Sequence, residues 1–189
     1  VTFRVLTGQY YGPTGLYEGS PGVFYSLSSS NIVFSVSNSG KATDIANSTG
    51  YQVKPFLVGA ANGRFYAGAW VSGSPTANVF SVSSMPGSFI EYAARSITPL
   101  PAQNLPDGTL LGGGVNFATG QSSVIKVGLS GDITQIAPLP PGHQVEFSPI
   151  YASDGNYYGV GWDQPANTSY VYKATPSGAF SILYTFPNG

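Results

Sequence analysis

The sequence predicts an all-β protein assembled from four tandem copies of one four-stranded unit, and three observations predict it. Turn and strand residues recur at fixed offsets, sustained helical periodicity is missing, and Gly and Pro punctuate the chain where short strands need turns. The offsets are countable. Asp107-Gly108 precedes Val124 by 17 positions and Gly131 by 24, and Asp154 precedes Val171 and Gly178 by the same 17 and 24. Asn62-Gly63 is followed by Val79 at 17 and Gly87 at 25, whereas Pro21-Gly22 is followed by Val33 at 12 and Gly40 at 19.

The fourth copy shows each element in order. Its first strand, Pro149-Ile150-Tyr151, runs into Asp154-Gly155, a dipeptide expected to form a type I′ turn because both central residues would take positive φ. The second strand is Asn156 to Val160 and the third Tyr170 to Ala174, whose slot is filled elsewhere by Val33-Phe34-Ser35-Val36, Val79-Phe80-Ser81-Val82 and Val124-Ile125-Lys126-Val127. β-Branched and aromatic residues suit a pleated, packed surface. Pro176-Ser177-Gly178 turns the chain into a fourth strand, where Phe180, Ile182, Tyr184 and Phe186 alternate with other residues. Four antiparallel strands in each of several tandem units describe β-propeller blades. A sandwich of regular hairpins is the competing architecture, but its strands need not recur with matching turn offsets.

The expected organisation is one domain over 1–189, with repeats at about 11–50, 51–96, 97–143 and 144–189. Residues 1–9 form a further strand, because Val1 to Leu6 resembles Ala179 to Leu183. Three arrangements accommodate it: an excerpt of a larger propeller, which is the preferred expectation; a four-bladed ring with an added edge strand; or self-association through an exposed N-terminal strand lent to a neighbour.

The fourth copy, with Ser153-Asp154-Gly155-Asn156-Tyr157-Tyr158-Gly159, Val171-Tyr172-Lys173-Ala174 and the Leu183 to Phe186 ending, resembles the bacterial Gloeobacter/Verrucomicrobium-type tandem repeat. The first copy is similar through Gly15 to Ser26 and Ile32 to Ile45; the second and third depart from the pattern at Arg64-Phe65-Tyr66 and Leu110-Leu111. The resemblance implies a propeller-like, exported or cell-surface bacterial protein. It implies no reaction and supplies no catalytic residues.

Composition narrows the classes. Charged residues are 8% of the chain, well below the roughly 25% of an ordinary domain. Hydrophobic residues at 42% and aromatics at 14% nevertheless exclude a disordered tail. A net charge of −1 with seven dispersed basic residues argues against nucleic-acid binding. The absence of Cys removes disulfides and thiolate metal sites. No apolar run approaches the ~20 residues of a spanning helix, so membrane insertion is not expected. Asn47 and Asn167 lie in glycosylation sequons.

Candidate ligand-binding residues are Trp70, Trp162 and Asp163. Each Trp stands eight positions after the first residue of its turn pair, at the start of what reads as a long loop between second and third strands. Such a pair could stack on sugars or anchor a partner, or else cover the blade ends as apolar lids. Val115 to Ser122, Ser96 to Pro106 and Pro138 to Glu146 are expected to complete that loop face. Asp107 and Asp154 read as turn-forming residues, since Asn62 and Pro21 fill the same slot. Lys41, Asp44, Glu91, Asp132 and Gln135 fall on outer, fourth-strand positions, where charge discourages edge pairing. His143, the single histidine, reads as a solvated loop residue, and Gly112-Gly113-Gly114 as a place of close backbone packing rather than a phosphate loop. Glu18, Glu146 and Asp163 occupy non-equivalent repeat positions, so no convergent acid pair emerges. The expected function is a non-catalytic surface scaffold or protein-interaction platform without cofactor or metal. A carbohydrate-binding propeller using the aromatic loop face is the alternative.

Overall fold

The computed structural model describes residues 16–47, 51–53, 57–71, 77–92 and 97–187. The strand expected over residues 1–9 lies outside them. The described residues form four antiparallel sheets and no helix. Blade 1 contains β1 (Tyr17–Ser20), β2 (Val23–Leu27), β3 (Ile32–Ser37) and β4 (Ala42–Asn47). Blade 2 contains β5 (Tyr51–Val53), β6 (Val58–Gly59), β7 (Phe65–Val71), β8 (Ala77–Val82) and β9 (Ile90–Glu91). Blade 3 contains β10 (Ile97–Asn104), β11 (Leu110–Asn116), β12 (Ser122–Val127) and β13 (Ile133–Pro138). Blade 4 contains β14 (His143–Val145), β15 (Ile150–Tyr151), β16 (Tyr157–Asp163), β17 (Thr168–Ala174) and β18 (Phe180–Thr185). Each sheet follows chain order, as a propeller blade does.

Three details differ from the expectation. The first strand of blades 2 and 4 is two short pieces pairing with one long second strand. In blade 4 the break follows two successive amides, Glu146 and Phe147, that both donate to the Val160 carbonyl, and Pro149 beyond them has no N–H to give. The Asp-Gly and Asn-Gly turns are not type I′. Gly63, Gly108 and Gly155 take φ of 74°, 81° and 79°, but Asn62, Asp107 and Asp154 are not in the left-handed region. Hydrogen bonds from Gly108 N to Leu105 O (3.0 Å) and from Leu105 N to Thr109 O (2.8 Å) enclose a three-residue loop, a type I turn closed by a left-handed glycine. The segments read as long loops are instead hairpin ends: β11 reaches Asn116 and β12 resumes at Ser122, while only four residues separate β16 from β17.

The sheets stack face to face. Tyr25, Leu27, Val33 and Ile45 of blade 1 meet Phe65, Ala67, Phe80 and Val82 of blade 2. Tyr66 and Val79, on the opposite face of blade 2, meet Leu110, Ile125 and Val127 of blade 3. Leu111, Val124 and Ala137 of blade 3 then meet Tyr157, Tyr170, Tyr172 and Ala174 of blade 4. A bulge recurs at one place on the fourth strand, leaving Ile45, Ile136 and Leu183 unpaired opposite Val33/Phe34, Val124/Ile125 and Val171/Tyr172.

Glycine sets the closeness of this stacking. A Cβ at Gly68 in β7 would overlap the Pro99 carbonyl of β10, a backbone atom that only a blade shift can move. Gly68→Ala is therefore expected to cost about 3 kcal/mol as overpacking. Gly63→Ala meets nothing within 4 Å and bears only its left-handed φ, a cost of about 1 kcal/mol. Urea unfolding of the two variants checks the difference, and equal costs would contradict the close-approach account.

Candidate functional site

Two of the three sequence candidates, Trp162 and Asp163, lie at the hairpin end of blade 4 but not on one surface, and the third, Trp70, lies on blade 2. Trp162 and Asp163 are consecutive residues of β16, so the pleat sends them to opposite faces of the sheet. Trp162 is half-buried on the outward face with Tyr158 and Val160. Asp163 turns toward blade 3, where Oδ1 accepts a bond from Ala166 N at 3.2 Å. Trp70 holds the sixth position of β7 as Trp162 does of β16, and each pairs across the sheet with a glutamine, Gln52 and Gln144. The two tryptophans thus occupy matching register positions on blades 2 and 4, with blade 3 between them.

His143 is not a solvated loop residue. It opens β14, opposite Asp163 in register, and its Nε2 lies 3.7 Å from Asp163 Oδ2. Both side chains are mostly covered, at 16% and 23% exposure. The imidazole packs on Tyr170 with 5.2 Å between ring centroids, and Nδ1 lies 3.4 Å from the Pro141 carbonyl. Tyr170 is fully buried and donates from Oη to Gln144 O at 3.4 Å. Burial first, and then the Asp163 charge, holds its phenol well above the usual tyrosine range. A signal for this strand exists in the sequence: Tyr51-Gln52-Val53 and His143-Gln144-Val145 share Gln-Val and open equivalent pieces of their blades.

Blade 3 adds polar groups on the facing side. Thr98 and Ser122 both pair with Val115, from either flank, which places the three side chains in one row. Both hydroxyls are buried with no hydrogen-bond partner among the described residues, and β14 packs against β11 and β12 of this sheet. An imidazole, a carboxylate, a phenol and two hydroxyls therefore occupy one end of one blade interface. At 3.7 Å the His143–Asp163 contact is an ion pair only when the imidazole is protonated.

The turn carboxylates have structural duties. Asp107 Oδ1 accepts from Thr109 N at 3.0 Å, Asp154 Oδ1 from Asn156 N at 3.1 Å, and Asn62 Oδ1 from Arg64 N at 3.1 Å, one geometry in three blades. Lysines 19 positions on reach back, with Lys126 Nζ 2.7 Å from Asp107 and Lys173 Nζ 3.6 Å from Asp154. Among the described residues no three of His, Cys, Asp and Glu cluster as metal ligands.

No family model matches the chain, and no curated protein matches it. Solved structures do. A streptogramin B lyase aligns with 97% of this chain and 57% of its own, at 18% identity and a TM-score of 0.63. Virginiamycin B lyase from Staphylococcus aureus aligns with 94% and 57%, at 17% identity and 0.61. An exo-β-1,3-galactanase from Clostridium thermocellum aligns with 97% and 50%, at 13% identity and 0.60. The chain spans just over half the length of the lyases it matches. At these identities the likeness is one of fold, a β-propeller type.

The Lys126 ammonium and the Thr109 donors hold the Asp107 carboxyl down at about 2. A depressed carboxylate contributes stability above its unfolded value near 4 and loses it as pH falls toward 2. The Asp107 side chain is 50% exposed, so solvent screening limits the ion pair to less than about 1 kcal/mol. Asp107→Asn is expected to destabilise by that amount at pH 7 and to match the parent near pH 2. Urea midpoints at the two pH values check this, and a deficit undiminished at pH 2 would contradict it.

Proposed function

We propose that the chain is a non-catalytic propeller module acting as a protein-interaction platform, and that blade 4 presents the contact surface. One observation carries the reading. The face that each blade turns to its successor is sealed in blades 1 to 3, where Tyr25, Leu27, Val33, Tyr66, Val79, Leu111 and Val124 are at most 5% exposed. The equivalent residues of blade 4 are Tyr158, Val160 and Val171, none of them fully buried. Leu183 repeats the bulge positions of Ile45 and Ile136, yet it is 53% exposed where Ile45 is 4%. Phe147, Ile150, Ile182, Tyr184 and Phe186 are also exposed on this blade, and exposed apolar side chains of this kind suit cover by another polypeptide, whether a further blade or a protein partner. The resemblance to exported bacterial repeats supports a place at the cell surface.

Trp162 shares this face and keeps a carbohydrate-stacking alternative open, although Asp163 points away and cannot assist it. Acid–base catalysis is a second reading, favoured by the His143–Asp163 contact beside buried Tyr170 in a fold whose compared structures are enzymes. Two experiments separate these readings. Benzoylphenylalanine in place of Tyr184 is expected to crosslink a protein partner in an extract of the source cells. At Met85, more exposed than Tyr184 but on blade 2, it is expected to leave that partner unlabelled; equal labelling from both sites counts against the platform. Assays on virginiamycin B and β-1,3-galactan are expected to show no turnover. Turnover that His143→Ala abolishes would replace the platform with the catalytic reading.

A further inference from the structure

At the opposite end of the same blade interface, the turns of blades 3 and 4 enclose an open cleft of about 220 Å³. Leu105, Pro106 and Pro176 form apolar walls, and Asp107, Lys126, Tyr151 and Tyr157 bring polar groups to it. Tyr157 is the informative residue. Its ring is buried, with the residue 2% exposed, but its hydroxyl is not among the buried side-chain atoms left without a partner, and it lines the open cleft. A phenol oxygen that opens on a cleft is solvated by water or taken up by a ligand, and the cleft supplies room for either.

Comparison of the blades shows that packing does not need this hydroxyl. The same repeat position holds Phe24, Phe65 and Leu110 in blades 1 to 3. Phe65 and Leu110 are 4% and 0% exposed, as well buried as Tyr157 with no polar atom. The oxygen is therefore an addition peculiar to the blade that shapes the cleft. Its neighbours complement it. Lys126 and Asp107 form a 2.7 Å pair and cancel in charge, so the cleft favours a neutral guest over an ion. Together they offer a donor and an acceptor, and the two phenols can act as either. The Tyr151 and Tyr157 rings, 5.8 Å apart and tilted by 44°, add apolar faces beside the prolines.

We propose that this cleft binds a neutral polyhydroxylated ligand the size of one hexose ring, free or as the end residue of a glycan. Ring hydroxyls donate to Asp107 and accept from Lys126 and Tyr157, while the C–H face of the ring rests on the tyrosine and proline walls. The volume lies below the ≈300–1,000 Å³ of sites for drug-sized ligands, which limits the guest to a single ring in the cleft. This site is independent of the blade 4 outward face and of Trp70, Trp162 and Asp163.

Amide NMR of the whole chain tests it, with D-galactose, D-galacturonate and a β-1,3-galactotriose titrated to 50 mM. Galactose is expected to shift resonances of Leu105 to Thr109, Lys126 and Tyr157 and to leave those of blade 1 in place. Tyr157→Phe is expected to weaken binding about fivefold, one hydrogen bond's worth, with the thermal midpoint unchanged because the hydroxyl opens on the cleft. Lys126→Met, which keeps the aliphatic stem, is expected to weaken it further. Tighter binding of the triose assigns the glycan-end source; equal binding assigns the free sugar. The proposal is overturned by no shift at 50 mM, by shifts confined to another site, by unchanged affinity in Tyr157→Phe, or by galacturonate binding better than galactose.

Discussion

The structure depends on one constraint: an inner blade buries both faces of its sheet. β8 has all six residues buried, because alternate side chains enter the blade 1 and blade 3 interfaces in turn. A strand in that position cannot show the polar–apolar alternation of a half-solvated sheet, and its sequence becomes an apolar run of the kind buried sheets carry. Sheets buried on both faces leave few places for charge, in keeping with a folded chain that has only 8% charged residues. The same constraint governs the polar atoms left inside. Arg64 spends its guanidinium on Ser81 Oγ, Ser81 O and Ser88 O at 2.8 to 3.1 Å, and Tyr66 reaches across to the Leu129 carbonyl of blade 3 at 2.8 Å. The Arg64 bonds brace blade 2 internally, whereas the Tyr66 bond ties two blades and adds specificity to an interface that apolar contact alone would leave free to slide.

Face-to-face stacking also explains why glycines sit inside strands, where they are otherwise unfavourable. In β16, Gly159 and Gly161 stand opposite Tyr172 and Tyr170, and each ring lies over the glycine that a Cβ would make impassable. Gly113 of β11 likewise makes room for Val145 of β14. The tyrosine–glycine pairs let one strand's rings cover its neighbour's backbone, so a thin sheet still fills the space to blade 3. Gly114, next along β11, makes room for Ile97 and Ile125 in the same way.

The repeat offsets made the strand inventory legible, because a turn glycine with positive φ must recur wherever the same three-residue loop recurs. The Asx role of Asp107 and Asp154 was legible for a similar reason: Asn62 substitutes for them, and only a local acceptor role survives that exchange. What could not be read was pairing over distance. Whether Asn116 or Asp163 still belongs to a strand depends on Ser122 or Thr168 lying opposite, and the intervening polar residues look like loop in either case. His143 was misplaced by the same limitation. Its Pro-Pro-Gly neighbours are loop-forming, and only the register with Asp163 makes it a strand residue. Reading Trp162 and Asp163 as one site failed on parity: neighbours in a loop can converge, but neighbours in a strand diverge.

Repetition supplies a control for deciding which departures matter. A residue that packs one blade on the next has apolar counterparts in the other blades, so a polar atom without counterparts has to be explained by something other than packing. Lys126 and Asp107 are matched by Lys173 and Asp154, and that recurrence assigns their pairing to the turn. His143, by contrast, replaces Tyr51 and Ile97 at the start of the first strand, and the Tyr157 hydroxyl replaces nothing. These two departures occur at opposite ends of the interface between blades 3 and 4, which also borders the blade whose outward face is open. Both departures therefore border blade 4, one beside Asp163 and the other at the cleft.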